Sequence, residues 1–333
     1  MIKKRVALLL VVVFTSVFFP LQVTAESNGE KVSSLQVKAD EGDASAQYIL
    51  GIMYATGDGV PQDNQMALRW LTKAAEQGDA NIQTGLAELY YFGEKIAQDY
   101  QKAVYWYTKA AEQGNAHAQF YLASLYRNGK GIPQDYKQAL HWFTKAAEQG
   151  NAHAQFSLGS LYRNGKGIPQ DYEQALHWYT KAAEQGDAHA QFSLGFMYKN
   201  GKGIPQSYEQ ALYWYTKAAE QGDAHAQYNL GLLYDEGEGI PKDYKQAFYW
   251  YKKSAEQGIP HAQYNLGLKY ANGEGVPQDY VQAYAWWSLV ASQGDADAKH
   301  NRDIILEKMS PGQIEESQKL SKELYKKINA QTE

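Results

Sequence analysis

"RNGKGIPQDY" spans Arg127 to Tyr136 and is written again, letter for letter, from Arg163 to Tyr172. A near-copy, "KNGKGIPQSY", spans Lys199 to Tyr208, so the stretch begins at 127, 163 and 199, a step of 36 residues. The same step carries Gly42 through Gly78, Gly114, Gly150, Gly186, Gly222 and Gly258 to Gly294 without one insertion. A fixed period in this range marks stacked supersecondary elements, each burying its apolar face on its neighbours. The expected repeats are 44–79, 80–115, 116–151, 152–187, 188–223, 224–259 and 260–295.

Each repeat reads as two helices. Ala46, Gln47, Leu50 and Tyr54 share one face at helical spacing, and Ala67, Trp70, Leu71, Ala74 and Ala75 share another. Asp43, with Asp or Asn at most equivalent positions, caps the first helix, helix A. Asp135 with Gln138, Asp171 with Gln174 and Asp279 with Gln282 predict a reciprocal capping box at the start of the second, helix B. The glycine after Gln77, Gln113 and their equivalents ends helix B in the left-handed conformation. The quoted stretch then falls between the two helices. Gly129 ends helix A, Gly131 accepts a positive φ, and Pro133 forbids continuation before the Asp135 cap. Its Gly-Lys-Gly lacks the spacing and the preceding strand of a phosphate-binding loop, so it is a joint.

The pattern A-x-A-Q-x-x-L-G-x-x-Y, G-x-G-[VI]-P-Q-D, A-x-x-W-[YF]-x-K-A-A-E-Q-G resembles the Sel1-like repeat. It stands here as Ala188 to Gly195 with Tyr198, Gly201 to Ser207, and Ala211 to Gly222. The tetratricopeptide repeat has a period of about 34 and puts its proline at the end of helix B, not between the helices. The expected fold is therefore all-α, a right-handed α/α solenoid of seven helical hairpins with terminal capping helices. The N-terminal cap falls in 26–43, at Val32 to Glu41. The C-terminal caps fill 296–333: a last helix A over Ala296 to Lys308, then a helix opened by Ser310, Pro311 and Gln313 and running to about Lys327. Repeat two departs from the pattern, with Thr84 in helix A and Lys95 where a joint glycine is expected.

Residues 1–25 read as a leader. Lys3, Lys4 and Arg5 precede an apolar run from Val6 to Phe19, and Val23-Thr24-Ala25 fits a signal-peptidase site. A bilayer-spanning helix needs about 20 apolar residues. The mature chain is expected to be exported, periplasmic or secreted, with no membrane association once the leader is gone. Without those three cations, 29 Lys and Arg remain against 37 Asp and Glu, a net charge of −8 that disfavours nucleic acid. The absence of cysteine excludes disulfides and thiolate chemistry.

Several ladders repeat once per hairpin. The tryptophans from Trp70 to Trp286 share the apolar face with the helix B alanines, so they are core. Gln47 and its six equivalents never vary, and a polar side chain on an apolar face must bond backbone of the neighbouring hairpin. His117, His153, His189, His225 and His261 lie one repeat apart, too far for two imidazoles to share a metal ion. No serine precedes a lysine by three residues, so no penicillin-type nucleophile is expected. No enzyme, cofactor or metal is expected.

Related hairpin solenoids line a concave surface with helix A. By that analogy Tyr121, Ser157, Ser193, Phe196 and Asn229 are candidate partner-binding positions. Phe120, Phe156, Phe192, Tyr228 and Tyr264 would border the groove or pack beneath it. A basic band at the joints adds Arg127, Lys130 and Arg163, then Lys166, Lys199 and Lys202. Its equivalents outside are acidic: Asp58 and Glu94 before it, Asp235, Glu238 and Glu274 after it. The resemblance implies a monomeric, non-enzymatic scaffold of the bacterial cell envelope that binds another protein, here one with an acidic surface. The alternative is a peptidoglycan- or β-lactam-associated cell-wall protein, since some cysteine-rich relatives are linked to β-lactams.

Overall fold

The structure, a computed structural model, describes residues 28–93 and 96–332. Residues 1–25, expected to be a leader, and Glu94 and Lys95 of repeat two lie outside the described residues. Every regular element described is an α-helix, and no strand is present among the described residues. Helix A spans Ala44–Thr56, Ala80–Phe92, Ala116–Asn128, Ala152–Asn164, Ala188–Asn200, Ala224–Glu236 and Pro260–Asn272. Helix B spans Asn64–Glu76, Tyr100–Glu112, Tyr136–Glu148, Tyr172–Glu184, Tyr208–Glu220, Tyr244–Glu256 and Tyr280–Ala291. A cap helix, Asn28–Asp40, precedes them, and Ala296–Leu306 and Pro311–Thr332 follow. The fold is an α/α solenoid of seven hairpins, as the sequence predicts. The chain divides into two compact halves, one ending at Ala154 and one beginning at Gln155.

Within each half, helix A starts on an acidic or amide cap. Asp43 Oδ1 accepts the Ala46 N–H at 2.7 Å, and Asp223 does the same for Ala226 at 2.7 Å. Repeat seven breaks the rule: Ile259 makes no side-chain cap, and Pro260 at the first helical position replaces it. At helix B the expected capping box is only half formed. Asp135 accepts the Gln138 N–H at 3.0 Å, but the Asp135 N–H donates to the Tyr126 carbonyl at 3.0 Å rather than to a glutamine side chain. The orphan donor is satisfied by helix A of the same hairpin, which ties the two helices together. Gln134 adds a second stitch, its Nε2 donating to the Arg127 carbonyl at 2.7 Å. The quoted stretch is thus a laced joint. Gly131 has φ +70°, and a Cβ there would stand 2.5 Å from the Tyr100 carbonyl, so it also packs against the previous hairpin.

The core is the seam between helix B and its helix A partner. Trp70, Trp106, Trp142, Trp178, Trp250 and Trp286 are buried, and Trp214 is half-buried. The residue after each tryptophan is buried more completely: Tyr107, Phe143, Tyr179, Tyr215 and Tyr251 are fully inaccessible. Tyr215 sits so close to helix A that a Cβ on Gly195 would lie 2.5 Å from its ring. Glycine at Gly159, Gly231 and Gly267 meets the same limit, with a Cβ position 2.5 to 2.8 Å from the facing ring, whereas repeats two and three accommodate Ala87 and Ala123 there.

The glutamine ladder finds the backbone partners expected of it. Gln47, Gln83, Gln119, Gln191, Gln227 and Gln263 each donate Nε2 to an alanine carbonyl on the preceding helix, at 2.9 to 3.2 Å. A second glutamine at the end of helix B closes six of the seven rungs, as Gln77 Nε2 does on Gln47 Oε1 at 2.9 Å. In the seventh, Gln293 bonds the Leu289 carbonyl at 3.3 Å and Gln263 Oε1 has no partner.

The C-terminal caps differ slightly from expectation. The first ends at Leu306, because the N–H groups of Lys308 and Met309 turn back to the Ile305 and Leu306 carbonyls. Ser310 and Gln313 do form a reciprocal box at the next helix, at 2.9 and 3.4 Å. That helix passes Lys327 to reach Thr332, since its anchor Ile328 is buried against Trp286 and Leu289.

Candidate functional site

Of the positions expected to meet a partner, Ser157 and Ser193 are each only 5 % exposed and present no surface. Tyr121 stacks on Tyr107 with centroids 5.3 Å apart and planes at 7°, and burial pushes its hydroxyl pKa up to about 12. Ser193 donates to the His189 carbonyl at 2.8 Å, and Asn229 to the His225 carbonyl at 2.8 Å. No size rule at this repeat position reveals the burial, since it holds Tyr121 and Asn229 beside the two serines.

The histidines lie against the aromatic of the previous helix A: His153 on Phe120, His189 on Phe156, His225 on Phe192 and His261 on Tyr228, with centroids 5.9 to 6.1 Å apart. His117 instead contacts Glu88 at 2.7 Å. Among the described residues no three His, Asp or Glu side chains are placed to hold a metal ion.

The basic band separates into distinct environments. Arg127 lies 5.5 Å from the Phe143 ring centre, and burial lowers its guanidinium pKa from the ordinary value. Lys130 reaches back to Tyr100, 3.4 Å from its hydroxyl. Lys166 is exposed. Lys199 is paired with Glu236 at 3.7 Å. Arg163 and Lys202 come together in one cleft of about 460 Å³. Phe192, Phe196 and Met197 give the cleft an apolar wall, and Asn164, Gln170 and Tyr172 supply polar groups. Gln170 fixes the rim by donating to the Tyr172 hydroxyl at 3.0 Å. The cleft therefore combines two cations, a phenol and an apolar wall, in the C-terminal half. Such a lining offers an incoming group charge, hydrogen bonding and apolar contact at once.

Asp235, at the position of Arg163 two repeats on, has a role the sequence concealed. It is the counter-ion of Lys269, which is 4 % exposed and also bonds Glu274 at 2.7 Å. Burial opposes the Lys269 charge, but the hydrogen bonds to the two carboxylates outweigh it and raise its pKa above the ordinary lysine value.

Seven helical hairpins built on one period define the class: a helical-repeat solenoid protein. The Sel1 repeat family model matches residues 44–79, 81–115, 116–151, 152–187, 188–223, 224–259 and 260–295, and the chain belongs to that family. It is similar to a Sel1 repeat protein from Oxalobacter formigenes, at 36% identity over 84% of this chain and 83% of that one, with TM-score 0.73. It is also similar to c5321, a protective antigen of uropathogenic Escherichia coli strains with an SLR fold, at 35% identity over 91% of this chain and 73% of that one, with TM-score 0.58. No curated protein sequence matches the chain. Sel1 repeat proteins generally serve as non-catalytic scaffolds that bind other proteins. No helix among the described residues is long and apolar enough to cross a membrane.

Proposed function

We propose that the protein is a non-enzymatic scaffold, exported by its N-terminal leader to the periplasm or beyond, where as a monomer it binds another protein through helix A and the joints. The observation that carries this reading is the cleft at Arg163 and Lys202. Two cations beside an apolar wall suit a protein surface bearing acid and hydrocarbon together. Net charge −8 for the mature chain makes such a basic spot selective for local complementarity rather than for polyanions at large. Support for export comes from the Lys3–Arg5 cluster and the apolar run behind it.

The test is a pull-down from envelope extract on immobilised residues 26–333, beside the same chain carrying Arg163→Glu and Lys202→Glu. A stoichiometric protein partner captured by the first is expected, with less captured by the second. Recovery of glycan and no protein would overturn the scaffold reading in favour of the cell-wall alternative.

A further inference from the structure

Three equivalent joints in the C-terminal half, each built around the first tyrosine of helix B, differ in how their charges are satisfied. Around Tyr244 the flanking residues are Asp235 and Glu274, both acidic, and the chain fills the gap itself. Lys269 bonds both carboxylates and lies 4.7 Å from the Tyr244 ring centre. Around Tyr208 the flanking residues are Lys199 and Glu238, of opposite sign. Lys199 pairs with Glu236 at 3.7 Å, so its charge is met within the chain. Around Tyr172 they are Arg163 and Lys202, both basic, and no acidic side chain lines the cleft between them. The position of Lys269 is taken there by Met197, which is 1 % exposed at the cleft.

The joint is thus a two-jawed ion holder, and its acidic version shows what the basic version accepts. We infer that the Arg163–Lys202 cleft takes a carboxylate side chain from an acidic segment of the partner protein, with the apolar residue beside it on Phe192 and Phe196. This rests on the scaffold reading for its source of ligand. The chemistry of the rim agrees. Gln170 donates to the Tyr172 oxygen, so the phenolic hydrogen is available to donate to an incoming carboxylate. Guanidinium, ammonium and phenol then supply charge-assisted hydrogen bonds to one anion, as two carboxylates do to one ammonium at Lys269. A bare anion would leave the Phe192, Phe196 and Met197 wall uncovered. A volume of about 460 Å³ has room for a carboxylate with a neighbouring apolar side chain.

The experiment uses the full mature chain and a capped hexapeptide, Gly-Glu-Glu-Leu-Phe-Gly, beside its Gln-Gln and Lys-Lys counterparts, read by amide chemical-shift titration. The Glu peptide is expected to bind saturably, at least tenfold tighter than the Gln peptide, with shifts at Arg163, Phe196 and Lys202. Arg163→Asp with Lys202→Glu copies the acid pair of the filled joint and should transfer preference to the Lys peptide. Met197→Glu should occupy the cleft from within and abolish binding of the Glu peptide while the helical signal is unchanged. Equal binding of the Glu and Gln peptides, or no saturable binding of either, overturns the inference. Displacement of the peptide by acetate or inorganic phosphate at equal concentration also overturns it, because the site would then hold a small anion only. If the peptide fails but the charge-reversed chain captures its envelope partner undiminished, this inference falls and the scaffold reading stands.

Discussion

At Tyr244 two carboxylates close on a lysine of the same chain, whereas at Tyr172 two cations face each other across an open cleft. The joints follow the same repeat pattern and begin the same helix. Seven of the eight positions that line the cleft differ between them, and the charge changes at Arg163, Met197 and Lys202 decide which ion is held. One set makes a structural clasp, and the other is the cleft for which we propose a partner's carboxylate. A helical repeat can therefore move a position between stability and recognition by side-chain replacement alone, because the laced joint holds its geometry independently of the charges it carries.

The sharpest way to break the comparison is alkali. The hydroxyls of Tyr48 and Tyr121 are pushed up to about 12 by burial, and Tyr251, buried and donating to Asp235, is raised as well. Folded values above the ordinary 10.0 mean that both states keep the proton below pH 10, so stability is flat there. Above pH 10 the unfolded chain releases protons that the folded chain holds, and stability falls as pH rises. Lys269, also raised, adds to the loss only above the usual lysine value of about 10.4. Denaturant melts from pH 8 upward should be constant to about 10 and collapse by about 12, with phenolate absorbance rising at the unfolding step.

Lys269→Ala should come next, destabilising by about 3 kcal/mol in urea melts, because it leaves Asp235 and Glu274 facing each other. Lys269→Ala with Asp235→Ala and Glu274→Ala should recover a large part of that loss. Gly195→Ala should cost about 2 kcal/mol by forcing a methyl into the Tyr215 ring, and Tyr215→Leu in the same chain should relieve it. Arg163→Ala and Lys202→Ala should change stability by less than about 0.5 kcal/mol each. Equality of the Lys269 and Arg163 effects would erase the distinction between clasp and cleft.

The hairpins were legible because period, caps and joint glycines all repeat, and Leu71 beside Trp70 already marked the buried position that Tyr107 and Tyr179 fill later. The candidate site was legible in part. Arg163, Lys202 and Phe196 could be named from charge and variation, but Ser157 and Ser193 could not be told from surface residues. Ser193 turns its hydroxyl to the His189 carbonyl, and Tyr121 at the same repeat position stacks on a ring of the neighbouring hairpin, contacts that no single-helix periodicity contains. The partnership of Asp235 with Lys269 was hidden for a similar reason: the two residues stand 34 apart, almost one full period.

The rungs set a rule for how such a chain lengthens. The typical rung glutamine reaches back 8 residues to a carbonyl and is closed from 30 residues ahead, while the joint presses on the preceding hairpin. Losing a single residue breaks the rung that spans it, whereas adding or removing a whole block of 36 leaves the spacing of every rung intact. The array is thus quantised in length, and repeats three and four, identical but for five positions (121, 123, 137, 143 and 151 in the first), have the form of one such copied block.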